Sequence, residues 1–242
     1  VAAVLAEDKA LIEVFRSGGN FHSSIAKTVF KLNCEVEDVA SLFSKERQAA
    51  KAVTFGIMYG AGPKKISEQV TKDSGSYFSQ QEAKEVIDDY FQSFFQLKNW
   101  IQNNHKFIEQ NGFVYSFFGR KRRLPNVKSS DAGIKSHSIR SGLNFLVQST
   151  ASDINLLGAI DMQAYLKATK SKARIFALVH DSILAEVPIS EVDGYCEQLE
   201  QYIQMDRGIS IPGAPVGCDF DVGDDYSMGK FEKQYGGTLG IS

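Results

Sequence analysis

Arg47, Lys51, Phe55 and Tyr59 recur every four residues along KERQAAKAVTFGIMYG, two cations followed by an aromatic ring and a phenol. At a helical advance of about 100° per residue, each four-residue step drifts by roughly 40°, so the four side chains share one stripe. Cations at one end suit phosphates, and an aromatic platform at the other suits a sugar and a flat base. A nucleoside triphosphate has that shape. On an arbitrary helix the same residues would form a solvated charged face beside core aromatics. Here the context is more specific: Ser44 stands as an N-cap with Glu46 in the first turn. Gly56 costs about 1 kcal/mol relative to Ala inside a helix, which signals a close neighbour.

Four further groupings carry possible chemistry. In RIFALVHDSILAEV, His180 and Asp181 fall at a hairpin tip between two apolar strands expected to be buried, where the carboxylate can face a metal or simply form the turn. In SIRSGLNFLVQSTASD, Arg140, Asn144 and Gln148 repeat at four-residue spacing, while Ile139, Leu143, Leu146 and Ile154 gather on the other side. Asn and Gln are unusual choices for a plain solvated helix face, and such donors can meet the minor-groove acceptors that every base pair presents. His22 in FHSSIAKTVF is, read alone, an ordinary helical hydrogen-bonding group. GFVYSFFGRKRRLPN carries enough charge, Arg120 and Arg122 included, to hold a nucleic-acid backbone, or to be a solvated basic turn.

These groups need elements to position them. The periodicity predicts helices over 1–16, 22–32 and 46–59, a break at Ala61-Gly62-Pro63, and a helix through Val70. A helical period continues from 79 to about 110, with Trp100 as packing. A hairpin over 112–124 turns around Gly119, a loop covers 129–135, and a long helix follows over 136–166. Two strands flank His180-Asp181-Ser182, a helix spans 192–205, and GCDFDV reads as a final strand. The order, α-rich first and mixed afterwards, indicates an α+β chain of two subdomains with the sheet mostly in the second half.

Composition bounds the rest. At 242 residues, 43% hydrophobic and 23% charged, the chain can bury a substantial core. No run approaches the roughly eighteen apolar residues of a membrane span, and VAAVLAEDKALIEVF carries acids where a signal peptide would not. An intracellular, cytoplasmic location without membrane contact is expected. Cys34, Cys196 and Cys218 are odd in number and widely spaced, which argues against a disulfide framework and a zinc site and fits a reducing compartment. The formal net charge of −2 conceals an asymmetry: 119–140 holds seven Lys or Arg against one Asp, or +6, whereas 181–242 holds three against twelve Asp or Glu, or −9. A basic strip beside an acidic region suits phosphates and metal ions, although two unrelated surfaces would look the same.

The pattern Arg-x3-Lys-x3-Phe-x3-Tyr-Gly resembles the fingers-helix motif of family A DNA polymerases, the group of bacterial DNA polymerase I and many phage replicative enzymes. Two more segments agree in order: the Arg140-x3-Asn144-x3-Gln148 helix, whose family counterparts contact primer-template, and the His180-Asp181 turn, whose family Asp ligates catalytic Mg²⁺. The resemblance implies a truncated right hand, with a junction helix over about 1–16, fingers over 17–111 and palm over 112–242 with a small antiparallel sheet. It also implies template-directed transfer of deoxynucleotides from dNTPs to a primer 3′-hydroxyl by two Mg²⁺ ions. In that scheme Arg47, Lys51 and Asp181 are catalytic, and Asp181 is the metal ligand. His22, Arg47, Lys51, Phe55 and Tyr59 bind the nucleotide, and Arg140, Asn144, Gln148, His180, Arg120 and Arg122 bind DNA. Ser182 stands where the family usually has Glu, which removes any auxiliary carboxylate there. Ser182 and the long 31–45 connection look more like phage members.

The family's first palm motif, with its own metal-binding Asp, immediately precedes the position of Val1. The chain is therefore expected to be a piece without that motif, the thumb or an exonuclease domain, and to be inactive alone. Any processivity factor would engage other parts. A non-catalytic nucleic-acid-binding module, using the 119–140 strip and the Arg140 helix, is the alternative, and a plain structural α/β domain is a third.

Overall fold

The computed structural model describes residues 1–17, 20–214, 216–223 and 225. They form two compact units: 1–150 with 211–214, and 151–210 with the described residues from 216 onward. The boundary falls within one long helix.

The first unit is mainly helical: α1 (Ala2–Leu5), α2 (Lys9–Arg16), α3 (Phe21–Phe30), α4 (Val39–Leu42), α5 (Ser44–Met58), α6 (Pro63–Ser74), α7 (Gln80–Ser93) and α8 (Phe95–Asn111). The expected single helix over 1–16 is two. Glu7 takes φ 52°, and Asp8 stops one helix and starts the next, its Oδ1 accepting from the Leu11 N–H at 3.0 Å. Its Oδ2 accepts from the Leu97 N–H at 2.9 Å, so one buried carboxylate caps both α2 and α8. The continuous period over 79–110 likewise divides at Phe94, fully buried with φ −120° and ψ 61°, which breaks the helical ladder between α7 and α8. Ser79 opens α7 with a capping box: its hydroxyl accepts from the Glu82 N–H while the Glu82 carboxylate accepts from the Ser79 N–H.

Ser44 is not the cap of α5. The helix begins one residue earlier, with the Arg47 N–H bonding the Phe43 carbonyl at 3.0 Å, which leaves the Ser44 hydroxyl inside the first turn without a capping bond. Gly56 does mark a close approach. A Cβ there would lie 2.4 Å from Ile66 Cδ1 and 3.0 Å from Ala61 Cβ, so α6 packs directly on the glycine. The core gathers Ile25 of α3, Val53 of α5, Val70 of α6, Tyr90 of α7 and Ile108 of α8, with Trp100 packed partly buried against it.

The hairpin β1 (Phe113–Tyr115) and β2 (Lys121–Arg123) pairs antiparallel around a turn in which Gly119 takes φ 84°. The helix α9 (Ala132–Thr169) begins four residues before the expected start, because Asp131 accepts from the Ile134 N–H at 2.9 Å and so shortens the loop.

In the second unit the rest of α9 packs with α10 (Val192–Gln204) through Met162, Leu166, Cys196, Leu199 and Ile203. Burial pushes the Cys196 thiol up to about 11, and the three cysteines are free. The hairpin β3 (Arg174–Val179) and β4 (Ser182–Glu186) turns through His180 and Asp181, with a bulge at Phe176. These strands are not buried as expected. Ile175, Ile183 and Ala185 lean on the core, but Phe176, Leu178 and Val179 are exposed, since a two-stranded ribbon covered by helices on one side leaves its other face bare. The described strands all fall between Phe113 and Glu186, mostly in the second half of the chain as expected, and each unit holds one two-stranded hairpin. Gly217 to Val222 is irregular rather than a strand, having no partner to pair with among the described residues. No described helix is long and apolar enough to cross a membrane.

Candidate nucleic-acid interface

The stripe on α5 is present as the spacing predicts, and α3 packs beside it. Asn20 caps α3, accepting from the Ser23 N–H at 3.2 Å. Arg47 reaches the same helix end: its Nε donates to Ser23 Oγ at 3.2 Å and its Nη2 to Asn20 Oδ1 at 3.3 Å. The guanidinium is thereby aimed by two neutral acceptors, and among the described residues no acid cancels its charge. Lys51, one turn on, is exposed. Asn20 and Ser23 were not singled out in the sequence. Asn three residues before Ser at the head of a helical period is a recognisable capping signal, but nothing in it announces a bond to Arg47.

His22 lies against the aromatic part of the stripe, its ring centroid 5.4 Å from that of Phe55 and 5.3 Å from that of Phe21. Phe21 in turn stacks on Phe15 at 4.6 Å. Burial first, then the charges of Arg47 and Lys51, hold the His22 imidazole below its usual 6.5, so the ring is neutral at pH 7. Its Nδ1 is buried without a hydrogen-bond partner among the described residues. Phe55 and Tyr59 keep 55% and 51% of their surface exposed, so both rings are available to a ligand.

Beyond Tyr59 the stripe meets α9. Gln148 Nε2 donates to the Tyr59 hydroxyl at 3.0 Å. Gly60, at φ 68°, lies so close to Arg140 that a Cβ would sit 2.0 Å from its Cδ and 2.8 Å from its Cγ. Arg140 also donates to the Ser136 hydroxyl. Two of the constellations separated by some ninety residues in sequence are therefore in contact. Along α9, Arg140 and Asn144 are half-buried and Gln148 exposed, whereas Leu143 and Leu146 are buried, so the polar and apolar faces separate as expected.

Arg122 Nη2 donates to Ser141 Oγ at 2.8 Å, and its guanidinium sits 5.4 Å from the Phe145 ring centroid. Part of its donor capacity is thus committed to α9. Arg120 is exposed, its backbone N–H bonding Ser116 Oγ.

In the second unit, His180 and Asp181 form a two-residue turn, both exposed. His180 takes φ 55°, a left-handed conformation that tight hairpin turns demand at their first central position and that a Cβ makes costly. The Asp181 carboxylate has no hydrogen-bond or ion-pair partner among the described residues. No group of three or more His, Cys, Asp or Glu among them is arranged to hold a metal ion.

The model of DNA polymerase family A matches residues 1–228. The DNA polymerase of Escherichia phage T5 is 46% identical over 257 residues, an alignment covering 97% of this chain and 30% of that protein. DNA polymerase I of Caldicellulosiruptor bescii and of Geobacillus stearothermophilus are each 31% identical over 212 residues, or 88% of this chain and 24% and 23% of theirs. Among solved structures, the POL domain of Pol1 from M. smegmatis, in complex with DNA primer-template and dNTP, is similar with a TM-score of 0.73 and 26% identity. That likeness covers 84% of this chain and 34% of that one. The chain thus spans about a third or less of the length of these relatives.

Proposed function

The chain belongs to DNA polymerase family A, and from that premise we propose that it carries the nucleotide-selecting surface and one catalytic carboxylate of a template-directed DNA polymerase. The observation that carries this reading is the meeting of α3 with α5: His22 against Phe55, and Arg47 held at the head of α3 with no acid beside it among the described residues. A guanidinium on neutral acceptors, an exposed ammonium and exposed rings in that order match triphosphate, deoxyribose and base. The complex of the M. smegmatis relative supports primer-template DNA and a dNTP as partners.

In the proposed reaction the primer 3′-oxygen forms a bond to the α-phosphorus while the bond from that phosphorus to the bridging oxygen breaks, releasing pyrophosphate. Arg47 and Lys51 bind the triphosphate and offset the charge that gathers on the leaving oxygens. His22, neutral, offers a hydrogen-bonding ring rather than a third positive charge. Phe55 lies against the deoxyribose, and Tyr59 lies near the templating base. Arg140, Asn144 and Gln148 face the minor groove of the new duplex. Arg120, Arg122 and His180 hold DNA.

Use of divalent metal ions is general in the family. Asp181 offers a hard oxygen of the kind Mg²⁺ accepts, but a lone carboxylate is not a metal centre, and the described residues do not complete one. It is the ligand this chain would contribute.

The test is primer extension by the full-length gene product. Lys51→Ala should raise the dNTP KM at least tenfold while DNA affinity changes less than threefold, a loss on the order of 1.4 kcal/mol confined to the nucleotide. Asp181→Ala should abolish incorporation and leave primer-template binding intact. Lost DNA binding with normal turnover in either variant would contradict the assignment.

A further inference from the structure

We infer that the outer face of the β1–β2 hairpin, continued by Phe107 of α8, is a platform for single-stranded DNA distinct from the α5 stripe. The register pairs Phe113 with Arg123 and Tyr115 with Lys121. Residues opposite one another across a ladder point the same way and their neighbours point the other way, so these four share one face. Val114 and Arg122 take the opposite face, where Val114 is buried and Arg122 is engaged by Ser141 and Phe145.

The outer face is a row of rings edged with cations. Phe107 and Phe113 meet edge-to-face at 5.8 Å, and Phe113 and Tyr115 at 5.4 Å. Lys121 Nζ sits 4.0 Å from the Phe113 centroid and 5.4 Å from that of Tyr115. Phe107 is 41% and Tyr115 50% exposed, so the row is not core. Lys121 and Arg123 are exposed, and neither has an acidic partner among the described residues.

The two features select one occupant. An apolar protein face would cover the rings but strip water from Lys121 and Arg123 without replacing it. A polyanion with accessible flat bases satisfies both, and only unpaired bases expose their faces, because those of a duplex are already stacked. The choice of DNA rests on the family to which the chain belongs; the binding itself is independent of nucleotide transfer.

The experiment uses the 242-residue chain and a fluorescein-labelled oligo(dT), read by anisotropy across a salt series without dNTP or metal, so a failed polymerase assay leaves its outcome untouched. Tyr115→Ala should weaken oligo(dT) binding about tenfold, with the melting temperature unchanged, and Tyr115→Phe should restore it. Lys121→Gln should reduce the slope of log affinity against log salt by about one. Parent-like oligo(dT) affinity in a folded Tyr115→Ala overturns the proposal, as does an equal loss for a matched duplex. Should Tyr115→Ala melt early, photocrosslinking of a 5-bromodeoxyuridine oligonucleotide to the unaltered chain decides. Adducts on Phe107 or Tyr115 are expected, and adducts confined to other residues overturn the assignment.

Discussion

The pKa of His22 is lowered by burial and by its neighbours Arg47 and Lys51, so the unfolded chain binds the proton more readily than the folded one. Stability contributed by the neutral ring is therefore complete above the unfolded value of 6.5 and is lost as pH falls through the folded value. Ring titration by NMR should give His22 a midpoint below 6.5, and Lys51→Met should move it upward; a downward or absent shift would remove Lys51 as a neighbour in charge. Phe55 sets a second expectation. Phe55→Tyr adds a hydroxyl where a sugar 3′-hydroxyl is proposed to lie, so the ratio of dideoxynucleotide to deoxynucleotide incorporation should rise by tenfold or more, about 1.4 kcal/mol in relative selection. An unchanged ratio removes the sugar contact. Phe55 and Lys51 were legible in the sequence because a four-residue repeat fixes the face of a helix whatever surrounds it. The tethering of Arg47 by Asn20 and Ser23 was not, since it depends on how closely a second helix approaches.

At the scale of elements, Asp8 is the clearest case of one side chain serving two segments. Its carboxylate caps α2 and α8 at once, and it is 1% exposed. Asp8→Ala removes two caps and strands a buried N–H, which should cost about 2 to 4 kcal/mol in urea denaturation. A loss under about 1 kcal/mol would show that water replaces the carboxylate. The helices themselves were readable from their apolar period, but the breaks at Asp8 and Phe94 were not, because the period continues through both. A similar limit applies to β3 and β4. Leu178 and Val179 look like core residues in sequence, yet whether an apolar strand is covered depends on what lies over it.

Taken whole, the described residues hold two separate apolar cores, one in each unit. The +6 strip of 119–140 belongs to the first, so salt-sensitive DNA binding should be a property of that unit. Met162 is fully buried in the second core, and Met162→Ala should cost about 2 to 5 kcal/mol there. Hydrogen exchange should then accelerate in β3, β4 and α10 while α3 and α5 keep their protection. Equal acceleration in both would show that the two cores melt together. The charge asymmetry is plain from composition, but the boundary between units inside α9 is not, because a continuous helical period carries no mark where its packing partners change. Finally, the Tyr59 hydroxyl is already clasped by Gln148. If a base stacks at Tyr59 as proposed, displacing that clasp would cost it about one exposed hydrogen bond, about 1 kcal/mol, a small admission threshold that only a well-stacking visitor would meet.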